Sequence, residues 1–103
     1  MEYSTLDKLG VRVSRLGFSC MRFPLTAEGK IDEPRAAAML DTAYKAGVTY
    51  YDTAYFYHQH TGEAFLGRAM KRYPRDTFYL ATKMPMSIVE SLDHAKEIFE
   101  GQL

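Results

Sequence analysis

Val48–Tyr57 reads V-T-Y-Y-D-T-A-Y-F-Y. Its first four residues are β-branched or aromatic, the classes that favour a strand. Asp52 stands where that run stops, and Thr53-Ala54 leads into a second aromatic cluster, Tyr55-Phe56-Tyr57. An acid at the end of a buried strand, with a phenol close behind it, loses hydration without return unless something uses it. The stretch reads as one half of an active site.

The segments on either side set that strand in a repeating order. Before it, Asp32 is a good N-cap, and Glu33 and Pro34 suit a first turn. Ala36, Met39, Leu40, Ala43 and Gly47 then fall on one helical face, with Gly47 as the stop. This is a packing helix, with Arg35, Asp41 and Lys45 free to face water. Earlier still, Leu16-Gly17-Phe18 is a short apolar strand. Ser19-Cys20-Met21-Arg22 leads out of it into a loop holding Pro24 and Gly29. In residues 1–16, Tyr3 and Thr5, then Val11 and Val13, alternate around Asp7-Lys8-Leu9-Gly10, which predicts a β-hairpin.

After Tyr57 the loop runs to Thr61, which is placed to cap a helix over about Gly62 to Tyr73. Glu63 sits in its first turn, and Leu66, Ala69, Met70 and Tyr73 recur at helical spacing. Tyr73-Pro74 ends it. A third strand, Thr77–Thr82, runs into Lys83 and is broken by Met84-Pro85. A last helix begins near Ser91, with Leu92, Ala95, Ile98, Phe99 and Leu103 on one side.

Past the hairpin the order is therefore strand–helix, three times over, with near-continuously apolar strands. That is the pattern of parallel strands covered on both faces, and hence of an α/β fold. A doubly wound sheet and a (β/α)8 barrel begin alike. No G-x-G-x-x-G follows the first strand, so a Rossmann dinucleotide site is not supported. Polar residues instead end successive strands: Ser19 and Cys20, then Asp52, then Lys83. A barrel builds its site that way, each strand delivering a residue to one rim. The expectation is an N-terminal hairpin plus the first three βα units of a (β/α)8 TIM barrel, with residues 1–103 as one partial barrel domain.

Composition narrows the function. Apolar residues make up 47% and charged residues 25%, so the chain is globular. Its 13 basic and 13 acidic residues cancel and are well mixed, which offers nothing to nucleic acid or an anionic membrane. No apolar run approaches the roughly 20 residues of a spanning helix. The N-terminus lacks the order of a signal peptide, and a single cysteine makes no internal disulfide, so a cytoplasmic location is expected.

Asp52, Tyr57 and Lys83 form the candidate constellation, although any of Tyr55, Phe56 and Tyr57 could serve in packing and spacing alone does not choose among them. If the second and third strands are parallel neighbours, Lys83 reaches Asp52 and offsets the cost of burying either. A lysine cation beside a phenol favours the phenolate and draws its pKa down from about 10. Such a tyrosine can hand a proton to a developing alkoxide near neutral pH. Among the other residues, His58 and His60 are spaced i, i+2 in a loop without further ligands, a weak metal pattern that suits a substrate loop better. Cys20 has only Arg22 as a basic neighbour and reads as a small pocket residue. Met21, Met84 and Met86 line a pocket or fill core, and His94 reads as a solvated helix residue.

Several segments together resemble the N-terminal third of an aldo-keto reductase. They are Y-S-T-L-D-K-L-G-V-R-V-S-R-L-G-F, G-V-T-Y-Y-D-T-A-Y-F-Y, G-E-A-F-L-G-R-A-M and F-Y-L-A-T-K-M-P. They cover nearly the whole chain in the right order. The wording around Gly62–Met70 and the final F-E-G-Q-L resembles a bacterial or archaeal branch, many of whose members carry an iron–sulfur domain far downstream.

The resemblance implies NADP(H)-dependent reduction of a small aldehyde or ketone. In the family's Asp–Tyr–Lys–His tetrad, Tyr57 would be the proton donor, Lys83 would lower its pKa and Asp52 would hold the lysine. The histidine and the grip on the adenosine 2′-phosphate belong to barrel units beyond Leu103, as would any iron–sulfur cluster. Ser19, Cys20 and Met21 fall on the first-strand segment that touches the nicotinamide, and Asp52 of the next strand is expected beside the cofactor as well; glycine is most common where Ser19 stands. A whole barrel takes about 250 residues. The 103-residue chain alone is therefore expected to be inactive, and to be poorly stable or self-associating. The competing expectation is a non-catalytic module, either a cofactor-sensing relative or a truncated remnant that packs against a partner.

Overall fold

A computed structural model describes residues 1–103. The chain opens with the hairpin that the alternation predicts, β1 (Tyr3–Leu6) antiparallel to β2 (Val11–Ser14), in register from Tyr3 opposite Ser14 to Leu6 opposite Val11. A 3-10 turn over Asp7–Leu9 joins them, and Gly10 closes it at a φ of 64°, the left-handed region glycine enters at little cost.

Three parallel strands follow in the order β3 (Phe18–Ser19), β4 (Tyr50–Asp52) and β5 (Tyr79–Ala81). Phe18 is opposite Tyr51, which is opposite Leu80; Ser19, Asp52 and Ala81 form the next row. Between the strands run α1 (Glu33–Lys45) and α2 (Gly62–Met70), and after β5 comes α3 (Leu92–Gln102). No helix is long and apolar enough to cross a membrane.

The core lies between the sheet and the first two helices, centred on Tyr51, Leu40, Leu66 and Met70, with Ala36 and Phe78 around them. Each large side chain buried there contributes about 1.5–3 kcal/mol. α1 starts as its sequence directs, with the Asp32 carboxylate accepting from the Arg35 N–H at 3.3 Å. α3 begins the same way, the Ser91 hydroxyl accepting from the His94 N–H. No residue of α3 is fully buried: Ala95 and Ile98 are half-buried, and Leu92 and Phe99 of the same side are exposed.

The hairpin docks on the N-terminal end of the sheet through polar pairs. The Ser14 N–H donates to Thr49 Oγ1 and the Thr49 N–H donates to Ser14 Oγ, both at 2.9 Å. Tyr3 Oη donates to the Gly47 carbonyl at 3.2 Å. Gly47 has φ 95°, and a Cβ there would lie 2.6 Å from Tyr3 Oη. We expect Gly47→Ala to lower the unfolding free energy by about 1–2 kcal/mol or more, from left-handed strain together with the clash. A denaturation midpoint equal to that of the parent protein would refute this.

The strands are shorter than the sequence predicts. Val48 and Thr49 are held by the end of α1 and by Ser14 instead of entering β4 fully. Thr77 closes a 3-10 turn by donating its hydroxyl to the Pro74 carbonyl. α2 likewise ends at Met70, short of the predicted Tyr73. Past that end, Tyr73 stacks on Tyr44 at 4.0 Å and donates its hydroxyl to the Asp41 carboxylate. Burial and that bond push the Tyr73 phenol up to about 12, and Asp41 is held below the usual carboxylate range by the same bond. Thr61 does not cap α2 with its side chain; its hydroxyl donates to the His58 carbonyl at 2.6 Å. Met39, predicted on the packed face, is exposed beside Leu16 in an apolar cleft along the outer edge of β3.

Helices cover one face of the sheet only. Tyr50 and Tyr79, which the apolar run predicts to be buried, are 39% and 40% exposed on the other.

Candidate active site

Strand alternation places the site. Tyr51 is buried against the helices, so Asp52 points to the opposite face. Ala81 pairs with Asp52, Thr82 turns back to α2, and Lys83 returns to the face of Asp52. Lys83 Nζ donates to Asp52 Oδ1 at 2.6 Å and to the Thr53 carbonyl at 2.7 Å. The same nitrogen lies 5.1 Å from the centroid of the Tyr57 ring. Asp52, Tyr57 and Lys83 thus meet at the C-terminal rim of the sheet. Tyr55 and Phe56 turn elsewhere, into edge-to-face contacts with each other and with His60.

The pair is open to solvent, its side chains 36% and 51% exposed for Asp52 and Lys83. Ion pairs this exposed add little stability, about 0–1 kcal/mol. What the pair supplies is orientation. Partial burial pulls the Lys83 pKa down, but the bond and charge of Asp52, with the Tyr57 phenol, outweigh it and raise the pKa above the ordinary lysine value. Lys83 is therefore an ammonium throughout the neutral range.

The turn after Tyr57 is unusual. His58, Gln59 and His60 have φ of 52°, 54° and 69°, three consecutive side-chain-bearing residues in the left-handed region. Each costs about 1–2 kcal/mol there, so the surrounding contacts must impose the turn. The Gly62 N–H donates to the Tyr57 carbonyl at 3.2 Å, and a Cβ on Gly62 would lie 3.0 Å from that oxygen. Glycine lets α2 begin hard against Tyr57.

Of the predicted nicotinamide-side residues, Ser19 shares a row with Asp52 and is exposed, as is Met21. Cys20 is different. Its side chain is fully buried in the core, and only its backbone faces the rim: its N–H donates to the Asp52 carbonyl at 2.8 Å and its carbonyl meets His58 Nε2 at 3.2 Å. Burial, then the Asp52 charge, pushes the Cys20 thiol up to about 12. We expect an alkylating thiol reagent at pH 8 to modify Cys20 only on unfolding; rapid stoichiometric labelling of the folded protein would contradict this.

Two contributors escaped the sequence reading. Glu63, taken as a first-turn acid, accepts from Thr82 Oγ1 at 2.5 Å and from Gln102 Nε2 at 2.9 Å. Gln102 Nε2 also donates to the Lys83 carbonyl at 3.0 Å, so α2 and α3 together fix the strand end that carries the lysine. The other is His58, expected only as a substrate-loop residue, whose Nε2 is bonded to the segment leaving β3. No local signal announces either role, because both partners are distant in sequence. His94, read as solvated, is half-buried, and its Nδ1 accepts from the Glu90 N–H.

A parallel sheet with one residue delivered to the rim from each of successive strands defines part of a (β/α)8 barrel. The aldo/keto reductase family profile matches residues 15–100, and the chain belongs to that family. It is 34% identical over 78 residues to "Probable aldo-keto reductase 1" of Glycine max, covering 76% of this chain and 22% of the relative. It is 40% identical over 97 residues to a norsolorinic acid reductase of Emericella nidulans, covering 89% and 25%. An aldo-keto reductase from Bacillus halodurans, solved in its holo form, matches all of this chain with a TM-score of 0.77 and 30% identity, over 35% of its own length. The chain thus spans about a quarter of the length of these curated relatives.

Proposed function

We propose that this chain forms the proton-delivering part of an NAD(P)H-dependent oxidoreductase that reduces a small aldehyde or ketone to an alcohol. The observation that carries the reading is the Lys83 ammonium, bonded at 2.6 Å to Asp52 and set beside the Tyr57 ring. In this reading Asp52 and the Thr53 carbonyl hold Lys83 in place, Tyr57 donates a proton to the substrate oxygen, and Lys83 stabilises the phenolate left behind. The open rim fits a flat, partly polar group such as a nicotinamide: exposed Ser19 and Met21 would border it beside Asp52, and Cys20 would contribute backbone only. When bound, that cofactor supplies the hydride.

The remaining barrel units and the fourth member of the family's tetrad would come from the rest of a complete reductase. Support for that division is the half-covered sheet, with β3 and β5 as unpaired edges and Tyr50, Tyr79 and Leu80 exposed. Carbonyl-dependent oxidation of NAD(P)H by the complete reductase, with alcohol formed in equal amount, tests the reading; no oxidation with any aldehyde or ketone of a broad panel would defeat it. The 103-residue chain alone is expected to show no turnover and to elute larger than a monomer. A cooperatively melting monomer would contradict the second expectation.

A further inference from the structure

His58 lies outside the proposed chemistry, yet it touches both sides of it. Its Nε2 is 3.3 Å from the Phe23 N–H and 3.2 Å from the Cys20 carbonyl. The hydrogen bonds that join residues 53–61 to residues 20–23 both run through this one nitrogen. A protonated Nε2 donates to the Cys20 carbonyl and an unprotonated one accepts from the Phe23 N–H, so either tautomer keeps one tie. The ring also stacks on Phe23 at 5.5 Å, and Phe23 meets Phe65 of α2 edge-on at 5.2 Å. These contacts key the ring into the core and hold the left-handed turn that starts at His58 itself.

Tyr57 is the residue immediately before that turn. The Cys20–Phe23 strap continues directly from Ser19 and contains Met21. The Cys20 N–H bond to the Asp52 carbonyl ties the two segments at their base, and beyond it their hydrogen bonds run through the imidazole alone. We propose that His58 is a positioning residue: it fixes the turn bearing Tyr57 against the strap leaving β3, so that proton donor and nicotinamide-side segment keep one spacing. The inference rests on the reductase reading and deepens it.

The test uses the complete reductase and compares His58→Asn, His58→Gln and Tyr57→Phe. Asparagine tolerates the left-handed backbone but is too short to make either tie, whereas glutamine reaches further and carries both a donor and an acceptor. His58→Asn is expected to lower kcat about 10- to 100-fold, with carbonyl KM and cofactor affinity within about threefold of the parent. The solvent deuterium isotope effect on kcat should rise, because a displaced donor slows proton transfer, and His58→Gln should recover much of the loss. If His58→Asn does not fold, His58→Phe keeps the stack without the ties and carries the same expectation.

A lowered melting temperature with kcat and isotope effect unchanged would overturn the positioning role. So would a kcat loss that glutamine leaves unrepaired and that shows no change in isotope effect. Wild-type turnover in Tyr57→Phe would instead sink the reductase reading, so the two failures are distinguishable.

Discussion

Replacing Tyr57 by phenylalanine in the complete reductase should lower kcat about a hundred- to ten-thousand-fold, the range carried by a positioned proton donor. The substitution removes one oxygen and leaves the ring beside which Lys83 is set, 5.1 Å from its centroid. The turn around residue 57 is held by backbone bonds, from the Tyr57 N–H to the Ala54 carbonyl and from the Gly62 N–H to the Tyr57 carbonyl, and these are untouched. Folding and cofactor affinity should therefore survive, and the loss should appear in kcat with little change in carbonyl KM. Steady-state rates beside fluorescence titration of the cofactor separate the two. Turnover within a few-fold of the parent would show that another group delivers the proton.

Lys83→Met should lower kcat by about a hundredfold or more for a different reason. Methionine is close to lysine in length but brings no charge, so Asp52 loses its partner and Tyr57 loses the cation beside it. The pH dependence follows from the direction of the Lys83 shift. A raised pKa means that the pairing is fully present below the ordinary lysine value and is lost only as pH climbs through the higher folded value. Neither activity nor stability should show a transition owed to Lys83 between pH 6 and pH 9. Thermal stability should barely move, because the pair is exposed and contributes about 0–1 kcal/mol. A variant that melts much earlier yet keeps its kcat would assign Lys83 to structure.

The parts of this molecule legible from sequence are those whose cause is local. Asp32 announces α1 because a short carboxylate can take the Arg35 N–H whatever the rest of the chain does. The hairpin follows from alternation about a turn that needs Gly10. Asp52 and Lys83 were legible because strand alternation carries both to one face once β4 and β5 are taken as parallel neighbours, whereas Tyr57 was singled out from Tyr55 and Phe56 by the family resemblance alone. What misled was tertiary competition. Thr61 has the chemistry of a cap, but the left-handed turn before it presents the His58 carbonyl, and the hydroxyl goes there. Tyr73 fits the helical period, yet stacking on Tyr44 and bonding to Asp41 hold it beyond the helix end. The apolar runs at Tyr50 and Tyr79 anticipate two covered faces, of which this chain covers one.

The central claim is that Asp52, Lys83 and Tyr57 act as a single proton-delivering unit, and a double-mutant cycle on the complete reductase tests it most directly. With Tyr57→Phe, Lys83→Met and the double variant measured side by side, kcat of the double variant should fall close to that of Tyr57→Phe alone, since a lysine that works through the phenol has nothing left to assist. Losses that multiply, leaving the double variant lower by the product of the two single effects, would mean that the residues act independently and would contradict the account.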